Sequence, residues 1–124
     1  MKKILTDTNF LIYCAKQKID FFLYAKLNGF LVIIPKEVLD ELEKLEKSKK
    51  ITVGKNVRIA KKIINFNKFE SIELGNSYVD DGIIKFLKNK PEIILATIDK
   101  MLQNKVKNPI LLIRKKTQLE IFSR

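Results

Sequence analysis

Ile4-Leu5-Thr6-Asp7-Thr8-Asn9-Phe10-Leu11 changes from one hydrophobic period to another within eight residues. Lys3 to Thr6 reads as a short strand. From Thr8 to Lys18 the apolar positions Phe10, Leu11, Cys14 and Ala15 recur at helical spacing. The aspartate between the two is a good helix N-cap type. The same switch recurs further along. Phe30 to Ile34 is a continuous apolar run of strand length, as suits a strand covered on both faces. Pro35 then opens a helix at a position that tolerates its fixed φ. That helix runs to about Lys47, with Val38, Leu42 and Leu45 as its apolar stripe. Glu92 to Ala96 is a buried strand followed by a short helix, Lys100 to Val106, and Ile110 to Ile113 is the last strand before a tail to Arg124. Between these lie a helix at Phe21–Leu27 ended by Asn28-Gly29 and a basic loop from Ser48 to Gly54. A helix at Lys55–Asn67, a weak strand at Ser71–Leu74 and a helix at Tyr78–Lys88 complete the pattern. Strands alternating with helices predict an α/β fold. The expected form is a three-layer sandwich with a central parallel sheet of four to five strands and helices on both faces. A length of 124 residues predicts one domain over 1–124.

Composition narrows the chemistry. Hydrophobic residues at 46% and charged residues at 31% fit a soluble globular chain rather than a disordered one. Cys14 is the single cysteine, so neither a disulfide framework nor a cysteine zinc site is available. The chain has no histidine, which removes imidazole acid–base catalysis, the catalytic triads and the usual zinc-hydrolase ligands. No apolar run is long enough to span a membrane, and the polar Thr6–Asn9 stretch interrupts any signal-peptide core, so a cytoplasmic protein is expected. The four glycines are isolated, which excludes a phosphate-binding P-loop. Catalysis, if present, rests on carboxylates, lysines, hydroxyls or bound metal.

The formal net charge is +11, which favours a polyanionic partner. Lys47 to Lys68 contains eight basic residues and no acid, and Lys100 to Gln118 contains six and no acid. Neither stretch has the aromatic opposite face of a membrane-surface helix, so nucleic acid is the expected partner. Lys49, Lys50, Lys55, Arg58, Lys61 and Lys62 are the candidates for gripping a nucleic-acid backbone.

The acids lie elsewhere, and several follow strands. Asp7 follows the first strand, and Asp99 follows the Glu92–Ala96 strand. Glu41 lies about one and a half turns into the helix after Phe30–Ile34. Asp80 and Asp81 open the Tyr78 helix. In open α/β sheets the working site lies beyond the carboxyl ends of the strands, where strand order reverses. All four groups are therefore able to meet at one sheet edge. Singly, Asp7 and Asp99 are ordinary caps and Glu41 belongs to a solvated acidic face. Jointly, crowded carboxylates require a neutralising cation, and oxygen-only ligands suit Mg²⁺ or Mn²⁺. Two other classes are open: an RNA-binding scaffold without turnover, and a phospho-acceptor receiver domain. The receiver needs an acidic pair after the first strand, where Asp7 stands alone.

These residues are similar to the motifs of the PIN-domain nucleases. Leu5-Thr6-Asp7-Thr8-Asn9-Phe10-Leu11 resembles the family's opening element. Ile34-Pro35-Lys36-Glu37-Val38-Leu39-Asp40-Glu41-Leu42 resembles its proline-led acidic helix. Val79-Asp80-Asp81-Gly82-Ile83-Ile84 resembles its third acidic element, and Leu95-Ala96-Thr97-Ile98-Asp99-Lys100-Met101-Leu102 its fourth. The four occur in family order between Ile4 and Arg114. The resemblance implies an Mg²⁺- or Mn²⁺-dependent ribonuclease, an endonuclease of toxin or ribosomal-RNA-processing type. It makes Asp7, Glu41, Asp80 and Asp99 the catalytic and metal-binding carboxylates, with Asn9, Thr97 and Asp81 in support. Asp80 is preferred to Asp81 because it lies three residues before Ile83, the family's spacing. RNA is the implied substrate. A toxin-type member would have an antitoxin protein partner, and a homodimer through Phe21, Phe22 and Leu23 is the alternative to those residues packing in the core.

Overall fold

The computed structural model describes residues 2–47 and 50–123. The chain order is β1 (Lys2–Thr6), α1 (Thr8–Gln17), α2 (Phe21–Leu27), β2 (Phe30–Pro35), α3 (Lys36–Glu46) and α4 (Ile51–Asn65). There follow β3 (Glu70–Ile72), α5 (Val79–Leu87), β4 (Ile94–Ala96), α6 (Lys100–Asn104), β5 (Ile110–Arg114) and β6 (Gln118–Phe122). The strands form one sheet in the order β3-β2-β1-β4-β5-β6. The first five are parallel, and β6 pairs antiparallel to β5. The α/β sandwich therefore stands, with a sixth strand where an unstructured tail is expected from the pattern.

Alternation along the strands divides the core into two layers. Ile4, Val32, Ile34, Ile94, Ala96 and Leu111 face one cluster, which includes residues of α1 to α4. Leu5, Ile33, Leu95 and Ile110 face the other, which includes Ile83 and Leu87 of α5 and Leu102 of α6. Both faces of the inner strands are thus covered, which explains why they read as continuous apolar runs. Phe21 and Phe22 are buried in the first cluster, with Phe21 edge-on to Phe10 at 5.2 Å between ring centroids. They are core residues and unavailable to a dimer face; Leu23 beside them is half exposed.

Two departures from the sequence pattern have local causes. The helix placed at Lys55 begins at Ile51, so Gly54 lies inside α4 rather than in a loop. Gly54 is buried, and a Cβ there would stand 3.5 Å from the Glu46 carbonyl oxygen. A Cβ would fit against the end of α3 there in ordinary van der Waals contact. The turn into β6 holds Lys115 and Lys116 at φ 49° and 70°, left-handed values usually given to Gly or Asn. A tight hairpin built from lysines carries no turn signature.

Gly82 decides where α5 sits. A Cβ at this position would come within 2.9 Å of Leu74 Cβ and 3.1 Å of Asn76 Cβ. The loop before α5 therefore packs directly on the helix backbone. Gly82→Ala is expected to lower stability by about 1–3 kcal/mol through overpacking, despite the gain in helix propensity. Gly54→Ala meets only ordinary contacts and the movable end of Arg58, and is expected to be neutral or stabilising by up to about 1 kcal/mol. Urea unfolding of the two variants separates them; equal effects would contradict this packing.

Candidate active site

The strand order reverses at β1, whose neighbours β2 and β4 continue the chain in opposite directions. Asp7 is the first residue beyond β1, and its N–H extends the β1–β4 ladder by donating to the Ala96 carbonyl at 3.3 Å. It is also the N-cap of α1, with Oδ1 accepting from the Phe10 N–H at 2.9 Å. The Thr97 hydroxyl donates to Asp7 Oδ2, and Thr97 Oγ1 accepts from the Asp99 N–H at 3.1 Å. One buried hydroxyl thus ties the aspartate after β1 to the aspartate after β4. Asp99 in turn caps α6, its Oδ1 accepting from the N–H groups of Met101 and Leu102 at 2.9 and 3.3 Å. The capping reading and the site reading of these two acids hold together, because capping is what fixes each carboxylate.

The acids meet. Asp7, Glu41, Asp80, Asp81 and Asp99 line one cavity of about 520 Å³, together with Thr8, Asn9, Ser77, Tyr78, Val79 and Lys105. Glu41 comes from the second turn of α3 and the doublet from the first turn of α5. Thr97 lies beneath, buried, and reaches the cavity through Asp7. A further acid holds the frame. Glu37, one turn before Glu41 on α3, accepts from the backbone N–H of Leu74 at 3.0 Å and of Gly75 at 2.9 Å. These bonds hold its carboxyl below the usual carboxylate range. They also anchor the loop that packs on Gly82 and leads into Asp80.

The basic stretch is placed differently. Lys50, Lys55, Arg58 and Lys62 are exposed on or beside α4, and none of them lines the cavity. Lys61 is paired with Glu43 and with Glu46, the latter at 2.8 Å, so its charge is compensated within the protein. Lys49 lies outside the described residues. The cation lining the cavity is Lys105, just after α6. Its place in an acid-free basic stretch was the available signal, but spacing alone did not bring it to the acids. Ser77 and Tyr78, adjacent to the doublet, were likewise outside the set read from the sequence.

A family model described as a PIN-like domain matches residues 4–116. The chain belongs to the PIN domain family. Ribonuclease VapC4 of Methanocaldococcus jannaschii is 32% identical over 98% of both chains. The rRNA-processing protein fcf1 of Schizosaccharomyces pombe is 33% identical over 84% of this chain, which spans only 53% of that protein's length. Among solved structures, the PIN domain endonuclease Utp24 superposes with a TM-score of 0.74 at 30% identity, covering 98% of this chain and 95% of that one. Among the described residues, no helix is long and apolar enough to cross a membrane.

Electrostatics separates this cavity from an ordinary capped surface. Asp7 is 6% exposed. Burial pushes its carboxyl up to about 6, against the lowering effect of the Thr97 and Phe10 hydrogen bonds; the charges of Asp80 and Asp99 push the same way as burial. Asp80 is raised by burial first and then by Asp99, Glu41 and Asp81, while Lys105 lowers it. In this PIN domain, Asp7 and Asp80 thus feel the charge of other carboxylates lining the cavity. Because the folded protein holds the Asp7 proton more tightly than the unfolded chain, stability falls as pH rises from about 4 to about 6. Above that window the ionised carboxylate costs about 3 kcal/mol. Asp7→Asn keeps a good cap and removes the charge. In EDTA at pH 7.5 it is expected to raise Tm by several degrees, with the gain gone at pH 4. A lower Tm at pH 7.5 would contradict the electrostatic account.

Proposed function

We propose that the chain is a divalent-metal-dependent endoribonuclease that hydrolyses RNA phosphodiester bonds. The observation that carries this reading is the convergence of five carboxylates, from four separate segments, on one cavity at the strand-order reversal. Membership of the PIN family and the ribonuclease named among its relatives support it.

The donor set fits Mg²⁺ or Mn²⁺. Every side-chain donor facing the cavity except Lys105 is an oxygen, or the amide of Asn9. Cys14, the only thiol in the chain, is buried, and burial pushes it up to about 12, with the Asp7 charge adding to it. The buried hydroxyl of Thr8, beside Asp7, has no hydrogen-bond partner, and Asp7 is a buried charge in need of compensation. Among the described residues no three His, Cys, Asp or Glu side chains are grouped closely enough to hold one ion jointly. An ion held by one or two carboxylates directly and by the others through water suits Mg²⁺ and Mn²⁺, which keep several waters.

In this reading one or two of Asp7, Asp80 and Asp99 would hold the ion directly and the rest through water, and Glu41 would complete the site or orient the attacking water. When bound, the ion supplies activation of water and neutralisation of charge at phosphorus. Thr97 fixes Asp7 and Asp99 relative to each other. Asn9 and Asp81 support from the cavity wall. Lys105 would draw a phosphate towards an otherwise acidic cavity, and Lys50, Lys55, Arg58 and Lys62, exposed on or beside α4, would add to the protein's attraction for RNA. Both toxin-type and ribosomal-RNA-processing roles fit this chemistry; a toxin-type role would include an antitoxin protein partner.

The test is cleavage of a labelled single-stranded RNA with Mn²⁺ or EDTA. EDTA is expected to stop turnover. Asp80→Asn should slow it by more than about 100-fold, since Asp80 feels the charges of both Asp99 and Glu41, and Asp81→Asn by no more than about tenfold. Turnover that persists in EDTA, or an Asp80→Asn variant as fast as wild type, would overturn the assignment. Salt-sensitive RNA binding with no divalent-dependent turnover would identify a scaffold instead.

A further inference from the structure

An aromatic ring stands at the edge of the carboxylate cavity. Tyr78 lines that cavity and is 72% exposed. Scattered exposed apolar side chains are ordinary; Leu27 and Phe66 are exposed to a similar degree, and neither lines this cavity. Tyr78 differs in place and in support. Its backbone N–H donates to Asn76 Oδ1 at 3.0 Å. Its carbonyl accepts from the Gly82 N–H at 3.0 Å, at the start of α5. Glu37 holds Leu74 and Gly75 of the same loop, and Gly82 packs against Leu74 and Asn76. The backbone is therefore fixed on both sides of Tyr78, and the ring is offered to solvent from a pre-ordered base two residues before Asp80. A backbone held in this way needs little further ordering on binding.

The surrounding chemistry defines what the ring can take. The cavity carries five carboxylates and one lysine, so a sugar–phosphate backbone entering it finds little attraction beyond Lys105 and a bound cation. The unpaired base of a nucleotide, by contrast, has an apolar face that stacks on an exposed aromatic ring. A base within a duplex is already stacked on its neighbours and is not free to do so. We propose that Tyr78 is a stacking subsite for an unpaired base next to the phosphate that enters the cavity. This deepens the ribonuclease reading and rests on it.

The test uses short single-stranded RNAs with 2-aminopurine placed at successive positions, bound to the full chain with Ca²⁺ in place of Mg²⁺ or Mn²⁺. Stacking on Tyr78 is expected to quench fluorescence at one or two adjacent positions. Tyr78→Ala should abolish that quenching and weaken Kd by about tenfold, while Tyr78→Phe restores both relative to the alanine variant. An abasic nucleotide at the quenched position should bring wild type down to the Tyr78→Ala affinity, and duplex RNA should not distinguish the two proteins. The same quenching and Kd in wild type and Tyr78→Ala would overturn the subsite. Cleavage in Mn²⁺ is scored separately: if no RNA is cut, the ribonuclease reading fails, and the quenching pattern still decides for or against the stacking site.

Discussion

The buried carboxylate of Asp7, held by the Thr97 hydroxyl within reach of the charges of Asp80 and Asp99, is the constraint around which the site is organised. Taking one carboxylate out of water and setting others beside it, net of the hydrogen bonds from Thr97 and Phe10, costs about 3 kcal/mol, a large share of the roughly 5–15 kcal/mol that holds a typical domain folded. The sheet core that flanks it, with Ile4, Leu5, Leu95 and Ala96 almost wholly excluded from solvent, offsets that cost. The cost is highest at neutral pH, where the group is ionised. A divalent ion would relieve it by binding the folded state alone.

The frame around the acids works as a set of linked supports. β1 and β4 deliver Asp7 and Asp99 to the same edge, and Thr97 joins them. α3 contributes twice from one face: Glu41 to the cavity, and Glu37, one turn earlier, to the loop before α5. Gly82 lets that loop lie against the helix that carries Asp80 and Asp81. The position of the doublet thus depends on a carboxylate outside the cavity and on a missing side chain, as well as on α5 itself.

Much of this was legible in the residues. The change of period at Asp7, the covered run Phe30–Ile34 and the acids placed after strands pointed to the α/β sandwich and to convergence at one edge. Where the reading fell short, tertiary context outweighed local signal. Gly54 reads as a loop breaker, but it lies inside α4, buried against the end of α3. Lys115 and Lys116 adopt left-handed backbone with no residue to announce it, which hid β6. Lysine count could not tell a compensated charge from an available one: Lys61 is absorbed by Glu43 and Glu46, while Lys105, one lysine among many, faces the acids. Glu37 was hidden for a related reason, because a glutamate on an acidic helix face looks solvated until its partners, two backbone N–H groups some 37 residues away in the chain, are in view.

A divalent cation between these acids would answer their mutual repulsion. An anomalous difference map from a crystal soaked in Mn²⁺ tests this most directly. The expected result is a peak in the cavity between Asp7, Asp80 and Asp99 that disappears in the Asp7→Asn variant. A crystal saturated with Mn²⁺ that shows no peak there, or shows one only at surface carboxylates away from the cavity, would contradict it.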